Sequence, residues 1–228
     1  MKTIDFQNNI DSAFGLIQQN QLTEASAICK KLSEIVGPNA LVSYLFAAID
    51  LKNGELITAT EYLKTAIRLD PTVTEYYLTL ANALKSLGNS EEALEFYETA
   101  LRLSPGQVNV LNNYGLALKA SNRYTEAVEI FRNALKNDPN SVRARLNLAK
   151  LLRELGRKED AIDCLNEIGC HAAATFAVTK ASYHLPVIPA SIQDMRHSRI
   201  LYEREIIALA DEECEIDEEH LLDAGTNF

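Results

Sequence analysis

Two residue types recur in this sequence at a spacing that could do chemistry. Asn113 and Asn147 stand 34 residues apart, and Lys85, Lys119 and Arg153 follow one another at the same interval. Asn82 and Lys150 fall near them, as do Asn112 and Arg143. An asparagine amide offers both donors and an acceptor. A row of asparagines can therefore grip an extended peptide backbone with little regard for its side chains. A row of cations adds attraction for carboxylates, on acidic side chains or at a chain terminus. This is binding chemistry, in which no covalent bond changes. The alternative is a set of polar residues on a solvated helix face, but two columns in phase favour the binding reading.

Catalytic sets are harder to assemble. Cys29, Cys164, Cys170 and Cys214 show no paired spacing. A metal site from Cys164, Cys170, His171, His184 and Cys214 is conceivable, but structural zinc prefers two close Cys/His pairs. Adjacent Cys170 and His171 cannot easily bind one ion together. No local motif places a histidine to activate a cysteine. There is no glycine-rich phosphate loop, no Gly-x-Ser-x-Gly and no His-Glu-x-x-His. Acidic pairs such as Glu91-Glu92 and Glu218-Glu219 read as solvated surface. The expectation is no catalytic residue, no metal and no cofactor.

Charge narrows the partner. The 228 residues carry a formal charge of −10. Ten acidic residues against Arg204 alone lie between Glu203 and Asp223, so residues 1–202 are close to neutral. A nucleic-acid binder needs a strong positive field, which this balance argues against. The acidic run reads first as a solvated segment. Its second reading is a strand that folds back onto Lys85, Lys119 and Arg153. Met1–Ile10 lacks the apolar core of a secretory signal, and Ala40–Ile49 is too short to span a bilayer. The expected setting is the cytoplasm, with no membrane partner.

The spacing of 34 extends well beyond the polar columns. Pro71, Pro105 and Pro139 are separated by that interval. So are Ala47, Ala81, Gly115 and Ala149, and Ala25, Ala59, Ala93, Ala127 and Ala161. A further column reads Cys29, Leu63, Tyr97, Phe131, Leu165, and another Leu32, Ala66, Ala100, Ala134, Ile168. Antiparallel helices pack closely only where small residues let their backbones approach. Bulky residues then fill the gap to the next pair. Asn53-Gly54, Gly88-Asn89, Ser121-Asn122 and Gly156-Arg157 supply left-handed turns between the two helices of a pair. The prolines stop each second helix, and Thr72-x-x-Glu75 is spaced as a capping box at one restart.

These columns resemble the tetratricopeptide repeat (TPR) family, whose period is 34 residues. The resemblance implies an all-α solenoid, a right-handed superhelix of antiparallel helix pairs with a C-terminal helical extension. Five repeats are expected, at 6–39, 40–73, 74–107, 108–141 and 142–169. The first is degenerate, with Cys29 in the aromatic column and Gly37-Pro38 one place late. A capping helix over 170–183 and a segment over 184–228 follow. That segment has two prolines in His184–Pro189, a helix over about 191–210, and the acidic tail. In TPR proteins the first helix of each pair lines a concave groove. The resemblance therefore implies a protein or peptide ligand held by Asn82, Asn113, Asn147, Lys85, Lys119, Lys150 and Arg153, whose cations suit an acidic one. The peptide-carboxylate clamp of chaperone-binding TPRs is matched only loosely.

Residues 183–228 resemble bacterial TPR proteins related to O-linked N-acetylglucosamine transferase. The likeness rests on Leu185-Pro186-Val187-Ile188, on a Ser191-capped helix with Arg199, Tyr202, Glu203 and Arg204, and on Gly225–Phe228. It implies that a glycosyltransferase domain would follow and that the asparagine columns would hold protein substrates. The nucleotide-sugar half is missing from this chain, so it could not transfer a sugar by itself. A third expectation is a scaffold that self-assembles through exposed end repeats.

Overall fold

The computed structural model describes residues 3–166. They form ten α-helices: α1 Thr3–Gln18, α2 Leu22–Val36, α3 Ala40–Asn53, α4 Leu56–Leu69, α5 Thr74–Ser86, α6 Ser90–Leu103, α7 Val108–Ala120, α8 Tyr124–Asn137, α9 Val142–Glu154 and α10 Lys158–Asn166. There is no strand among the described residues. The expectations for the capping helix, the Pro-containing segment, the acidic tail and the glycosyltransferase-like stretch lie outside them. The chain divides into two compact units, one ending at Ile130 and one beginning at Phe131.

Each first helix ends in the same way, and the reason is backbone geometry. Asn20, Gly54, Gly88, Asn122 and Gly156 all have positive φ, at 60°, 82°, 84°, 59° and 75°. They are 34 residues apart in turn. The amide after each donates to the carbonyl five residues back: Gln21 to Leu16, Glu55 to Asp50, Asn89 to Leu84, Arg123 to Leu118 and Arg157 to Leu152, at 2.8–2.9 Å. This reversal satisfies carbonyls that the helix end would otherwise leave unpaired. Only glycine and asparagine accept the left-handed conformation cheaply, and all five positions hold one or the other.

The restarts differ from the expected capping box. The residue before α5 is Val73, which makes no side-chain cap. The Thr72 hydroxyl instead donates to Asp70 Oδ1 at 2.7 Å, and the Thr72 amide donates to the same oxygen at 3.1 Å. These two bonds hold the Asp70 carboxyl below its ordinary pKa. Asp138 accepts from the Asn140 amide in the same way at 3.0 Å. The aspartate thus closes a turn around each following proline, and its nearness outcompetes the cap. Asn39 is a true cap, accepting from the Leu41 and Val42 amides at 3.0 and 3.2 Å.

In the first unit the helices lean on their neighbours along the chain, α1 on α2, α2 on α3 and so on to α7. First helices also meet directly, α1 with α3 and α5 with α7. In the second unit α9 packs on α10. The small columns are buried. Ala25, Ala59, Ala93, Ala127 and Ala161 are fully buried, as are Ala13, Ala47, Ala81 and Ala149. Tyr97 and Phe131 are the largest fully buried side chains. Each contributes roughly 1.5–3 kcal/mol by burial. Two donors pin the proline turns to the next helix. In the first unit Tyr77 Oη donates to the Pro71 carbonyl at 3.1 Å. In the second unit Arg145, only 5% exposed, donates to the Pro139 carbonyl at 2.6 Å and to the Cys164 carbonyl at 3.2 Å.

Candidate functional site

The polar columns fall on first helices, as their period requires. In the first unit Asn82 and Lys85 sit on α5, and Asn113 and Lys119 on α7. All four are half-buried, and α5 touches α7. In the second unit Asn147, Lys150 and Arg153 sit on α9, with Asn147 and Lys150 half-buried and Arg153 exposed. Lys85, Lys119 and Arg153 each occupy the last turn of their helix. A cation there is favoured by the carbonyl end of the helix dipole. Burial pushes the Lys85 ammonium below its ordinary pKa.

The asparagines are not equivalent. Asn82 Oδ1 accepts from Tyr97 Oη at 2.6 Å. With that oxygen accepting from the phenol, the two N–H donors of the Asn82 amide face away from this bond. Burial drives the Tyr97 phenol upward in pKa, so it stays a donor at any ordinary pH. Asn112 is only 3% exposed and belongs to the interior rather than to an open face. In the Asn113/Asn147 column, α5 carries Thr79, and Leu45 on α3 is fully buried. The asparagines of that column therefore begin at α7.

The sequence reading missed an aromatic row on the first helices α1, α3 and α5. Phe14 of α1 lies 6.1 Å from Tyr44 of α3, centroid to centroid, and Tyr44 lies 5.1 Å from Tyr76 of α5. Burial raises the pKa of the Tyr44 phenol, and the nearby Thr79 hydroxyl opposes the shift. The missed signal is a short one: three aromatic residues on successive first helices, but at three different positions within the repeat. A second contact, Tyr114 Oη donating to Glu98 Oε1 at 2.9 Å, ties α7 to α6, and burial with Glu98 pushes that phenol up to about 12.

Nothing described gives these helices reactive chemistry. Cys29 is fully buried, and desolvation pushes its thiol up to about 11, where it is no nucleophile at neutral pH. No group of three potential ligands is gathered among the described residues; Cys170, His171, His184 and Cys214 lie outside them. No described helix is long and apolar enough to cross a membrane.

Two family models match, both of the tetratricopeptide repeat, one over residues 72–139 and one over 118–174. The chain carries tetratricopeptide repeats. Solved structures give the same fold. A structure of pilF from Pseudomonas aeruginosa superposes with a TM-score of 0.69 at 19% identity, over 96% of each chain. MamA matches with a TM-score of 0.63 at 19% identity, over 81% of this chain and 98% of its own. YrrB, described as a TPR protein with an unusual peptide-binding site, matches with a TM-score of 0.59 at 21% identity, over 70% of this chain and 82% of its own. No curated relative matches in sequence. At these identities the likeness speaks for the fold, an all-α TPR solenoid. A TPR fold suggests protein–protein interaction.

Proposed function

We propose that this protein is an interaction module whose first helices hold an extended peptide of a partner protein. The observation that carries the reading is the polar set Asn82, Lys85, Asn113 and Lys119 on α5 and α7, with the two lysines in phase and all four half-buried on helices that touch. Amides so placed can meet the alternating donors and acceptors of an extended backbone. The lysines add attraction for a carboxylate. In the sequence, Asn147 and Arg153 continue the Asn113 and Lys119 columns on α9, and Lys150 falls near them. That YrrB is described as having a peptide-binding site supports the reading by analogy of fold. The cytoplasm is the compartment that goes with it.

The test is a double substitution, Asn113→Ala with Asn147→Ala, read by fluorescence anisotropy on peptides selected from a decapeptide array. Lost hydrogen bonds should weaken binding by about 1–3 kcal/mol, while far-ultraviolet circular dichroism stays helical. Unchanged affinity for every selected peptide would remove the asparagines from the site.

A second reading rests on the likeness of residues 183–228 to glycosyltransferase-linked TPR proteins. In it the same helices recruit protein substrates for a catalytic domain. Extending the gene sequence past the codon for Phe228 decides it: a nucleotide-sugar-binding domain in frame supports it, and a stop codon there ends it.

A further inference from the structure

Positive charge gathers on one first helix. The helix α9 carries Arg143, Arg145, Lys150 and Arg153 against Glu154 alone. By comparison α5 sets Lys85 against Glu75, and α7 has only Lys119. Arg145 is buried and donates to carbonyls. Arg143 and Lys150 stand seven residues apart, so two turns of helix bring them onto one face, about 10 Å from each other along the axis. Arg143 is exposed and Lys150 half-buried, with Leu146 and Asn147 half-buried between them. Neither Arg143 nor Lys150 pairs with a carboxylate among the described residues. On the neighbouring α10, Asp160 is already taken by Arg157 at 2.6 Å.

The same chain supplies the opposite charge, in residues that lie outside the described ones. Asp211, Glu213, Glu215, Asp217 and Glu219 are acidic at alternate positions. In an extended strand alternate residues share a face, about 6.5–7 Å apart. A row of carboxylates at that interval suits the two cations, whose long side chains take up the difference. Reach is ample. Forty-four residues lie between Asn166 and Asp211, and even at about 1.5 Å per residue they span more than the roughly 20 Å of α9. An exposed ion pair is weak by itself. Attachment to the same chain raises the local concentration of the acidic run, and several pairs then act together.

We propose that the exposed face of α9, built on Arg143 and Lys150, is the docking surface for this chain's own acidic run, residues 211–219, and that the run holds it in competition with an acidic partner peptide. The contact stands on charge and reach. The competition rests on the peptide-binding reading above, since Lys150 belongs to that surface. An acidic peptide must displace the run before it meets Lys150.

The experiment uses the full chain. A water-soluble carbodiimide at low salt joins a lysine amine to a carboxylate in contact with it, and mass spectrometry maps the links in the monomer band of a denaturing gel. The expected result is a link from Lys150 to a residue of 211–219. It should be lost at high salt and reduced about twofold to fivefold in Arg143→Gln, a residue that the reagent itself cannot join. The second measurement compares the parent with a variant carrying Asp211→Asn, Glu213→Gln, Glu215→Gln, Asp217→Asn and Glu219→Gln. By fluorescence anisotropy the variant should bind a labelled decapeptide of alternating aspartate and serine about tenfold more tightly than the parent does. No Lys150 link in the monomer band, or one confined to dimers, would overturn this inference and leave the peptide-binding reading standing. Equal affinity of the two proteins for the acidic decapeptide would do the same. A Lys150 link in proteins that bind neither this decapeptide nor any in the array would overturn the peptide-binding reading, and the competition with it.

Discussion

The bond between Tyr97 and Asn82 gives a prediction with an unusual sign. Tyr97 is fully buried, and its hydroxyl donates to Asn82 Oδ1 at 2.6 Å. Tyr97→Phe removes the donor but leaves Asn82 half-buried, where water can reach the orphaned oxygen. The cost is the net worth of one hydrogen bond, about 1 kcal/mol. Asn82→Ala is worse, because it strands the hydroxyl in a place without water, at about 1–3 kcal/mol. Alanine regains about 0.5 kcal/mol of helix propensity on α5. The double variant has no unpaired group. It loses the bond, keeps the propensity gain, and should sit about 0.5 kcal/mol below the parent protein. Adding Tyr97→Phe to Asn82→Ala should therefore restore stability. Urea unfolding followed by far-ultraviolet circular dichroism measures all four proteins. A double variant less stable than Asn82→Ala alone would refute the reasoning, since the pair would then not be coupled through this bond.

Other outcomes follow from packing, backbone and charge. Ala127→Leu should cost about 1–3 kcal/mol in a urea titration, because Ala127 is fully buried and has no room for three more carbons. Gly88→Ala should lower the thermal midpoint, at a cost of about 1 kcal/mol, although the space around its Cβ position is open, because its φ is 84°. Arg145→Met should destabilise by about 1.5–3 kcal/mol, from the loss of charged donors to the Pro139 and Cys164 carbonyls. Alkaline pH should unfold the protein in a defined window. The Cys29 thiol is raised from 9.0 to about 11 and the Tyr114 phenol from 10.0 to about 12. Both groups ionise first in the unfolded chain, so their contribution is complete below pH 9 and is lost as pH rises from about 9 to about 12. A thermal midpoint flat across that window would contradict the burial of both groups.

The period made the fold readable, because it is written in residues whose backbone or size is unusual. Gly54, Gly88, Asn122 and Gly156 were legible as helix ends for that reason. Asn20 fills the same role in the degenerate first repeat, where no glycine flags it. The spacing of Thr72 and Glu75 misled, because a capping box competes with a nearer acceptor, and Asp70 is two residues away. The candidate site was legible only as columns. A column cannot say that the Asn82 oxygen is already taken, since its partner is 15 residues away on the next helix. Nor does it distinguish Asn113, half-buried, from Asn112, interior, although they adjoin. Arg145 looks like surface in isolation. It stands two repeats on from Tyr77, six residues after a proline as Tyr77 is, and performs the same duty with a different functional group.

The contacts of the first unit run from each helix to the next or the next but one along the chain. Contacts this local bring partners together over short loops, so folding should be fast and able to begin in any helix pair. The same locality has a consequence on an evolutionary timescale. Duplicating or deleting one 34-residue block would add or remove one helix pair, and with it one rung of the proposed peptide-holding surface, without disturbing its neighbours. On that proposal, copy number sets the length of partner that can be gripped, and the residues on each rung decide which partner it is.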